Sequence, residues 1–405
     1  MLTRPFVTLA VAIFTATLGI GMVAPILPVY ARSLGASGTA VGLTFSAFAL
    51  TQIFISPFTG RLADRYGRKW FIVAGLVSYV VAAVGWWLME DVLSVILFRA
   101  LTGVGSALVF SLALSYIGDL APAGREGRFM GTFGIFDFLG FGSGPLIAGV
   151  LVDHAGLDAA FVVMAVLYAI ATAIVAALLP RRPVRAHGPA HPSAPSAAPW
   201  REILAHPYVQ ALYALRVSFA LSMGASFSFF AIYLEEDLGT TATMVGAVLA
   251  AQQVSGGLLQ PLLGALADRA GRRRLVVAGA LLVAAGNASV WATDIYPLIV
   301  AGFVLGVGVG GALVNVSSQA IQVELGRRLG MATIMSLQSM GFAVGVLVGS
   351  LGGGVIVELV DVRTVFLVSG LAVVAGAAFF VLRTGGPRAS TADTPARALE
   401  DAASG

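Results

Sequence analysis

Three ionisable side chains sit inside apolar stretches where charge is otherwise scarce: Asp137, Arg99 and Arg216. A charged group at mid-bilayer depth costs about 2.5–3.5 kcal/mol on insertion scales, so such groups are kept for work on ions or substrates. Asp137 lies about ten residues into its run, or about 15 Å at 1.5 Å per residue of helix. A carboxyl at that depth can take up a proton from one side and release it to the other. The plainer role is a hydrogen bond to a neighbouring helix. Phe133, Gly140 and Gly144, at helical spacings from Asp137, share its face. Arg99 is shallower, near the start of its own run. It can bias the carboxyl through a shared cavity, attract an anion, or simply snorkel outward. A direct pair with Asp137 does not follow, because the two depths differ. For Arg216, function and snorkelling fit equally well.

These residues need a membrane scaffold. The chain has 405 residues, 58% of them apolar and 11% charged, against about 25% charged in a soluble protein. Mean hydropathy is +0.92. A water-soluble globule is excluded. With no cysteine and four histidines, two of them (His187, His191) in a Pro/Ala-rich stretch, no metal centre or cofactor is expected. The net charge of +4 is scattered between apolar runs, not gathered on one module, so nucleic acid is not an expected partner. No nucleophile–base set points to an enzyme. No Walker loop points to direct ATP drive.

Twelve apolar runs are long enough to cross a bilayer, near 6–31, 40–62, 69–89, 92–118, 127–152, 157–180, 208–234, 242–266, 273–292, 295–322, 328–357 and 362–382. Loops on one side carry most of the arginines. The opposite loops carry Arg32 and Arg363 beside acids such as Glu90, Asp153, Glu236 and Glu358. The bias places both termini in the cytoplasm. Seven of the 17 prolines fall between 180 and 207. The expected fold class is therefore an all-α membrane protein of two six-helix bundles, residues 1–180 and 208–384. A cytoplasmic linker without fixed fold, 181–207, joins them, and a disordered tail, 385–405, follows.

The halves repeat each other. Residues 60–69 read GRLADRYGRK and residues 264–273 read GALADRAGRR, both between the second and third runs of their half. Residues 98–109 match 303–314 at seven of twelve positions, and Asp119 falls on Glu324. Arg99 falls on Val304, and Asp137 on Gly341 or Phe342. The duplicated scaffold thus does not require either charge. Parallel six-helix repeats around a midplane site are a known transporter design.

The segment G-x-L-A-D-R-x-G-R-[RK], present after the second and eighth runs, resembles the signature loop of the major facilitator superfamily. The resemblance covers essentially the whole chain. Arg99-Ala-Leu-Thr-Gly103-Val-Gly105 is similar to the family's fourth-helix motif. Gly140-Phe-Gly-Ser-Gly144-Pro145-Leu-Ile-Ala-Gly149 is similar to its antiporter motif, with Ala148 where a glycine is usual. The first helix, through Pro25, Pro28 and Tyr30, resembles the twelve-helix drug:proton branch. The resemblance implies proton coupling and makes Arg99 similar to the family's functional arginine. Many relatives place an acid in the first helix, which has none here, so Asp137 is the candidate proton carrier by its depth. It implies a cytoplasmic interdomain latch from Gly60, Asp64, Arg65, Gly67, Arg68 and Asp119, which the repeat extends to Asp268, Arg272 and Glu324. The plainer reading of the loop set is topology and helix capping. Cavity-lining helices are implied too, offering Met22, Arg216, Phe219, Met223, Phe227, Asn315, Gln319 and Gln338. Soft and aromatic walls suit lipophilic guests.

The expected activity is a proton-driven efflux antiporter of drug-like molecules, working as a monomer in the cell membrane. Its partners are a small-molecule substrate, protons and the lipid bilayer. The alternatives are a carrier of one defined metabolite and, from a different class, a non-transporting receptor.

Overall fold

The computed structural model describes residues 3–120, 126–180, 200–329 and 331–385. Among these residues all regular structure is helical, as lipid demands, since each backbone N–H and C=O must be satisfied within its own segment. The first half comprises α1 (Arg4–Ser33), α2 (Gly38–Tyr66), α3 (Arg68–Leu88), α4 (Val92–Leu120) and α5 (Glu126–Leu178). The second comprises α6 (Trp200–Ala205), α7 (Pro207–Ile232), α8 (Ala242–Ala270), α9 (Arg272–Ala292), α10 (Tyr296–Ala301), α11 (Gly310–Leu329), α12 (Met331–Leu359) and α13 (Val362–Thr384). Eleven stretches among the described residues are long and apolar enough to cross a membrane. One of them, Thr132–Leu178, has 47 residues. It breaks at Gly156, where φ is 83°, so α5 supplies both the fifth and the sixth span.

Three local features differ from the sequence reading. The fifth and sixth spans join through that single glycine instead of a loop. The tenth span is α10 and α11 with a π-helical stretch, Gly302–Val309, between them, a distortion frequent at functional sites. Within the segment read as an unstructured linker, α6 forms a short helix. Its Ile203 is buried in the second half's core, and the Leu204 carbonyl accepts from Gln210 Nε2 at 2.8 Å. The rest of the linker, 181–199, and the tail from 386 lie outside the described residues.

The duplication is visible in the backbone. Gly35 and Gly239 take positive φ of 83° and 62°, and Gly67 and Gly271 take 94° and 87°. Gly67 ends α2 and begins α3, and Gly271 does the same between α8 and α9. Only glycine adopts such a φ without strain. Side-chain caps repeat as well: Ser37 Oγ accepts from the Ala40 amide and Thr241 Oγ1 from the Met244 amide, each at 3.3 Å. Outside the spans, Asp91 caps the Ser94 amide at 2.8 Å and Asp361 caps the Thr364 amide at 2.6 Å. These hydrogen bonds hold both carboxyls below the usual aspartate range.

Glycines set the helix crossings. Gly103 packs on Phe48 and Thr51 of α2, and Gly308 packs on Gln252 and Ser255 of α8. Gly21 of α1 packs on Phe141 and Pro145 of α5, and Gly224 of α7 packs on Val346 and Ser350 of α12. Between halves, Gly42 of α2 meets the Ser350 carbonyl of α12, and Gly246 of α8 meets the Pro145 carbonyl of α5. Such close approach suits a bilayer, where packing and not hydrophobicity drives helix association.

The halves are also tied at the bundle end opposite the chain termini. Asp153, near the end of the fifth span, accepts from the amides of Ala242 (3.1 Å) and Thr243 (2.8 Å) at the start of α8. Glu358, near the end of α12, accepts from the Thr39 amide (2.9 Å) at the start of α2. Each half therefore caps a helix of the other with a carboxylate, where the helix dipole favours negative charge. The Arg32–Glu236 pair, 3.7 Å apart, also joins the halves. It is well exposed and contributes little. Replacing Asp153 with alanine removes a cap of about 1 kcal/mol, hence about fivefold in the ratio of closed to open at this end. Glu358→Ala shifts the ratio the same way. Spin-label distances between α2 and α12, on cysteines introduced into a chain that has none, read the change. Unaltered distances in the double variant would remove the caps from the gating account.

Candidate transport site

Asp137 projects from the first part of α5, half-buried, and no described residue hydrogen-bonds or ion-pairs with it. The face it shares with its glycines is built against α1. A Cβ at Gly140 would run into Thr17 and the Phe14 carbonyl, and one at Gly144 into Leu18 and Gly21. Phe133 is fully buried, its ring edge-on to Phe6 of α1 at 6.4 Å. One turn beyond Asp137, Phe141 meets Phe227 of α7 edge-on, with centroids 5.9 Å apart. The carboxyl thus stands one turn from an aromatic contact between the two halves. Pro145 touches both sides, its ring on Gly21 of α1 and its carbonyl on Gly246 of α8. Gly149 faces the other way, where a Cβ would collide with Ala242 and Thr243 of α8. The antiporter-like segment accordingly serves two seams, one within its half and one between halves.

Arg99 does not snorkel. It is 4% exposed and its guanidinium lies over two rings of α2, Phe48 at 4.4 Å and Phe45 at 5.0 Å. One terminal nitrogen donates to Thr102 Oγ1 at 3.4 Å, and Nε is buried with no partner. The stacked Tyr79–Tyr168 pair, centroids 5.0 Å apart, lies nearby. Cation–π contacts of this kind reach about 2 kcal/mol when desolvated. Arg99 and Asp137 form no ion pair, as their separate depths anticipate.

The structure gathers part of the sequence-derived cavity set. Arg216 and Phe219 of α7, Asn315 of α11 and Gln338 of α12 line one cleft. Ser318 and Gln322 line it too. Sequence reasoning missed these two, although both fall at helical spacing from Asn315. Arg216 lies over the Phe342 ring at 4.6 Å. Gln319 is exposed and donates to Asn315 Oδ1 at 3.2 Å. Met223 packs against the second half's core. Met22 needs correction as a lining residue: it is fully buried in the first core, because its face of α1 packs against neighbouring helices.

Of the loop-motif residues, Gly67 makes the single-residue turn described above. Arg272 of α9 pairs with Glu324 of α11 at 3.3 Å, both partly exposed. This contact lies inside the second half, not between halves. Arg68 opens α3. Gly60, Asp64 and Arg65 on α2, Asp119 on α4 and Asp268 on α8 fall outside the residues whose side chains are described.

The family model for the Major Facilitator Superfamily matches residues 9–233 and 212–402. The chain belongs to the major facilitator superfamily. This superfamily's members are carriers, not enzymes, and this one is a multi-pass membrane protein. It is 30% identical to multidrug resistance protein 1 of Bacillus subtilis over 253 residues, 62% of this chain and 64% of that protein. It is 36% identical to the quinolone resistance protein NorA of Staphylococcus aureus over 141 residues, 35% of this chain and 36% of NorA. The chain therefore spans less than two thirds of the length of these relatives. In fold it is similar to a bacterial homologue of the human lysosomal transporter Spinster in an inward-facing, occupied conformation, with a TM-score of 0.78 at 16% identity over 94% of this chain and 96% of that one.

Proposed function

We propose that this major facilitator is a proton-driven antiporter that expels lipophilic, drug-like molecules from the cytoplasm. It alternates access by rocking its two six-span halves about the central site. It lies in the cell membrane with both termini cytoplasmic, as the arginine bias argues. The observation that carries the reading is Asp137, a half-buried carboxyl within a span, without a partner among the described residues, one turn from the Phe141–Phe227 contact between halves. A carboxyl so placed changes its surroundings whenever the halves rock, which is what a carrier needs to bind a proton on one side and release it on the other. The two resistance-protein relatives support the same substrate class. Latching by Asp64, Arg68 and Asp119 on the cytoplasmic side belongs to the same proposal.

The test is proton movement in proteoliposomes holding the purified chain. An imposed pH gradient should drive accumulation of a lipophilic dye, and dye added without a gradient should move protons in the opposite sense. Dye flux with no proton movement would refute the antiport mechanism. A strict preference for one polar metabolite would refute the drug-like cargo.

A further inference from the structure

The cleft between α7, α11 and α12 holds two unmet hydrogen-bonding groups of opposite kind. Arg216 Nε is buried with no acceptor, and Gln338 Oε1 is buried with no donor. Gln338 is 94% buried, being 6% exposed. Both line the same cleft, with Phe219 on its wall and the amide of Asn315 beside it. Among the described residues no carboxylate pairs with Arg216. Its contact is the face of Phe342, which offers no acceptor to Nε. Buried polar groups in folded proteins are normally satisfied, and each exception calls for a reason.

Scaffold needs do not supply that reason. Gly224 takes in the second half the place that Gly21 takes in the first, each crossing the antiporter-motif helix of its half or that helix's counterpart. In that register Arg216 falls where the first half has Ile13, a buried aliphatic residue. The equivalent helix packs well without a charge. The cleft has room for about one water-sized group, so it fits the polar end of a guest and not its body.

We infer that this cleft is an anion subsite of the transport cavity, taking the carboxylate of an amphipathic aromatic acid whose neighbouring N–H or O–H donates to Gln338. The inference rests on the transport reading above and narrows its substrate class. Arg216 supplies the charge-assisted hydrogen bond. Gln338 reads the adjacent donor, and Phe219 meets the start of the aromatic body. A guanidinium beside an organic acid gives both binding strength and direction, since its N–H groups are fixed in a plane. A neutral or purely cationic guest gains nothing from it.

Equilibrium binding to the purified full-length chain tests this with three matched probes: indole-2-carboxylate, its methyl ester, and benzofuran-2-carboxylate. The acid should bind at least tenfold more tightly than the ester, and more tightly than the benzofuran, which lacks the N–H. Arg216→Gln should erase the acid–ester preference, and Arg216→Lys should keep part of it. Gln338→Met should erase the indole–benzofuran preference while leaving the acid–ester preference in place. Each variant must elute as a single species and unfold cooperatively at a temperature close to that of the parent chain, which separates loss of the subsite from loss of fold. Equal binding of acid and ester by the parent chain would overturn the proposal, and so would an Arg216→Gln variant that keeps the preference. Displacement of the acid by a short-chain phosphatidylglycerol, with no transport of the acid, would assign the cleft to lipid headgroups and overturn it as well. Proton-coupled transport of tetraphenylphosphonium alone would leave the antiport reading standing and remove only the subsite. Selective acid binding without proton coupling would do the reverse.

Discussion

Asp137→Asn should abolish proton-driven transport, by a factor of 100 or more, and leave the protein folded and able to bind its substrate. Asparagine keeps the size and hydrogen-bonding capacity of a protonated aspartic acid, so the packing of α5 on α1 through Gly140 and Gly144 is untouched. What is lost is the exchangeable proton. The carboxyl is half-buried and no described residue neutralises it, which leaves it free to be neutralised by a proton or by a cationic guest. In the variant an imposed pH gradient has no group to act on, and accumulation against a concentration difference should stop. Exchange of labelled for unlabelled substrate across the membrane needs no net proton movement and should continue. Parallel measurement of the two activities in proteoliposomes makes the distinction. Accumulation that persists with its pH dependence intact would show that another group carries the proton. Among the described residues no other carboxyl sits so deep in the spans, so the coupling account would then need a different basis.

Placing valine at both Gly42 and Gly246 should stop transport at least tenfold, by holding the halves apart at the end where they now meet. A Cβ at Gly42 would fall on the backbone of Ser350, with its carbonyl carbon 2.9 Å away. One at Gly246 would fall on the backbone of Pro145, with its carbonyl carbon 2.8 Å away. Backbone cannot rotate aside as a side chain can, so the helices must separate. Each crossing joins different halves, and the contacts inside each half are untouched. The expected product is a folded protein biased toward opening at the end capped by Asp153 and Glu358. Spin-label distances there should lengthen, and turnover should fall because the cycle requires closure at each end in turn. Wild-type turnover with both valines present would mean that these crossings open and close without such close contact. The single variants should show partial effects, since the two sites lie on separate seams.

Much of this protein is legible in its residues taken in order. The twelve spans follow from run length and hydropathy, because a bilayer sets both the length and the composition of a crossing helix. The duplication follows from GRLADRYGRK and GALADRAGRR, and the paired positive-φ glycines Gly67 and Gly271 show what that repeat builds. The depth of Asp137 follows from counting residues along a helix of known rise. Each of these is a local property, carried by neighbours in sequence. Only the tertiary structure decides which helices face one another. It turns Met22 into the core and seats Arg99 over Phe45 and Phe48. It gathers Arg216, Asn315 and Gln338 from three helices into one cleft, and aims Asp153 and Glu358 at helix ends of the opposite half. Those relations depend on crossing angles set by small residues far apart in the chain. The apolar runs look alike all round, because lipid and protein interior reward the same side chains, so the pattern along a helix does not say which face meets a partner.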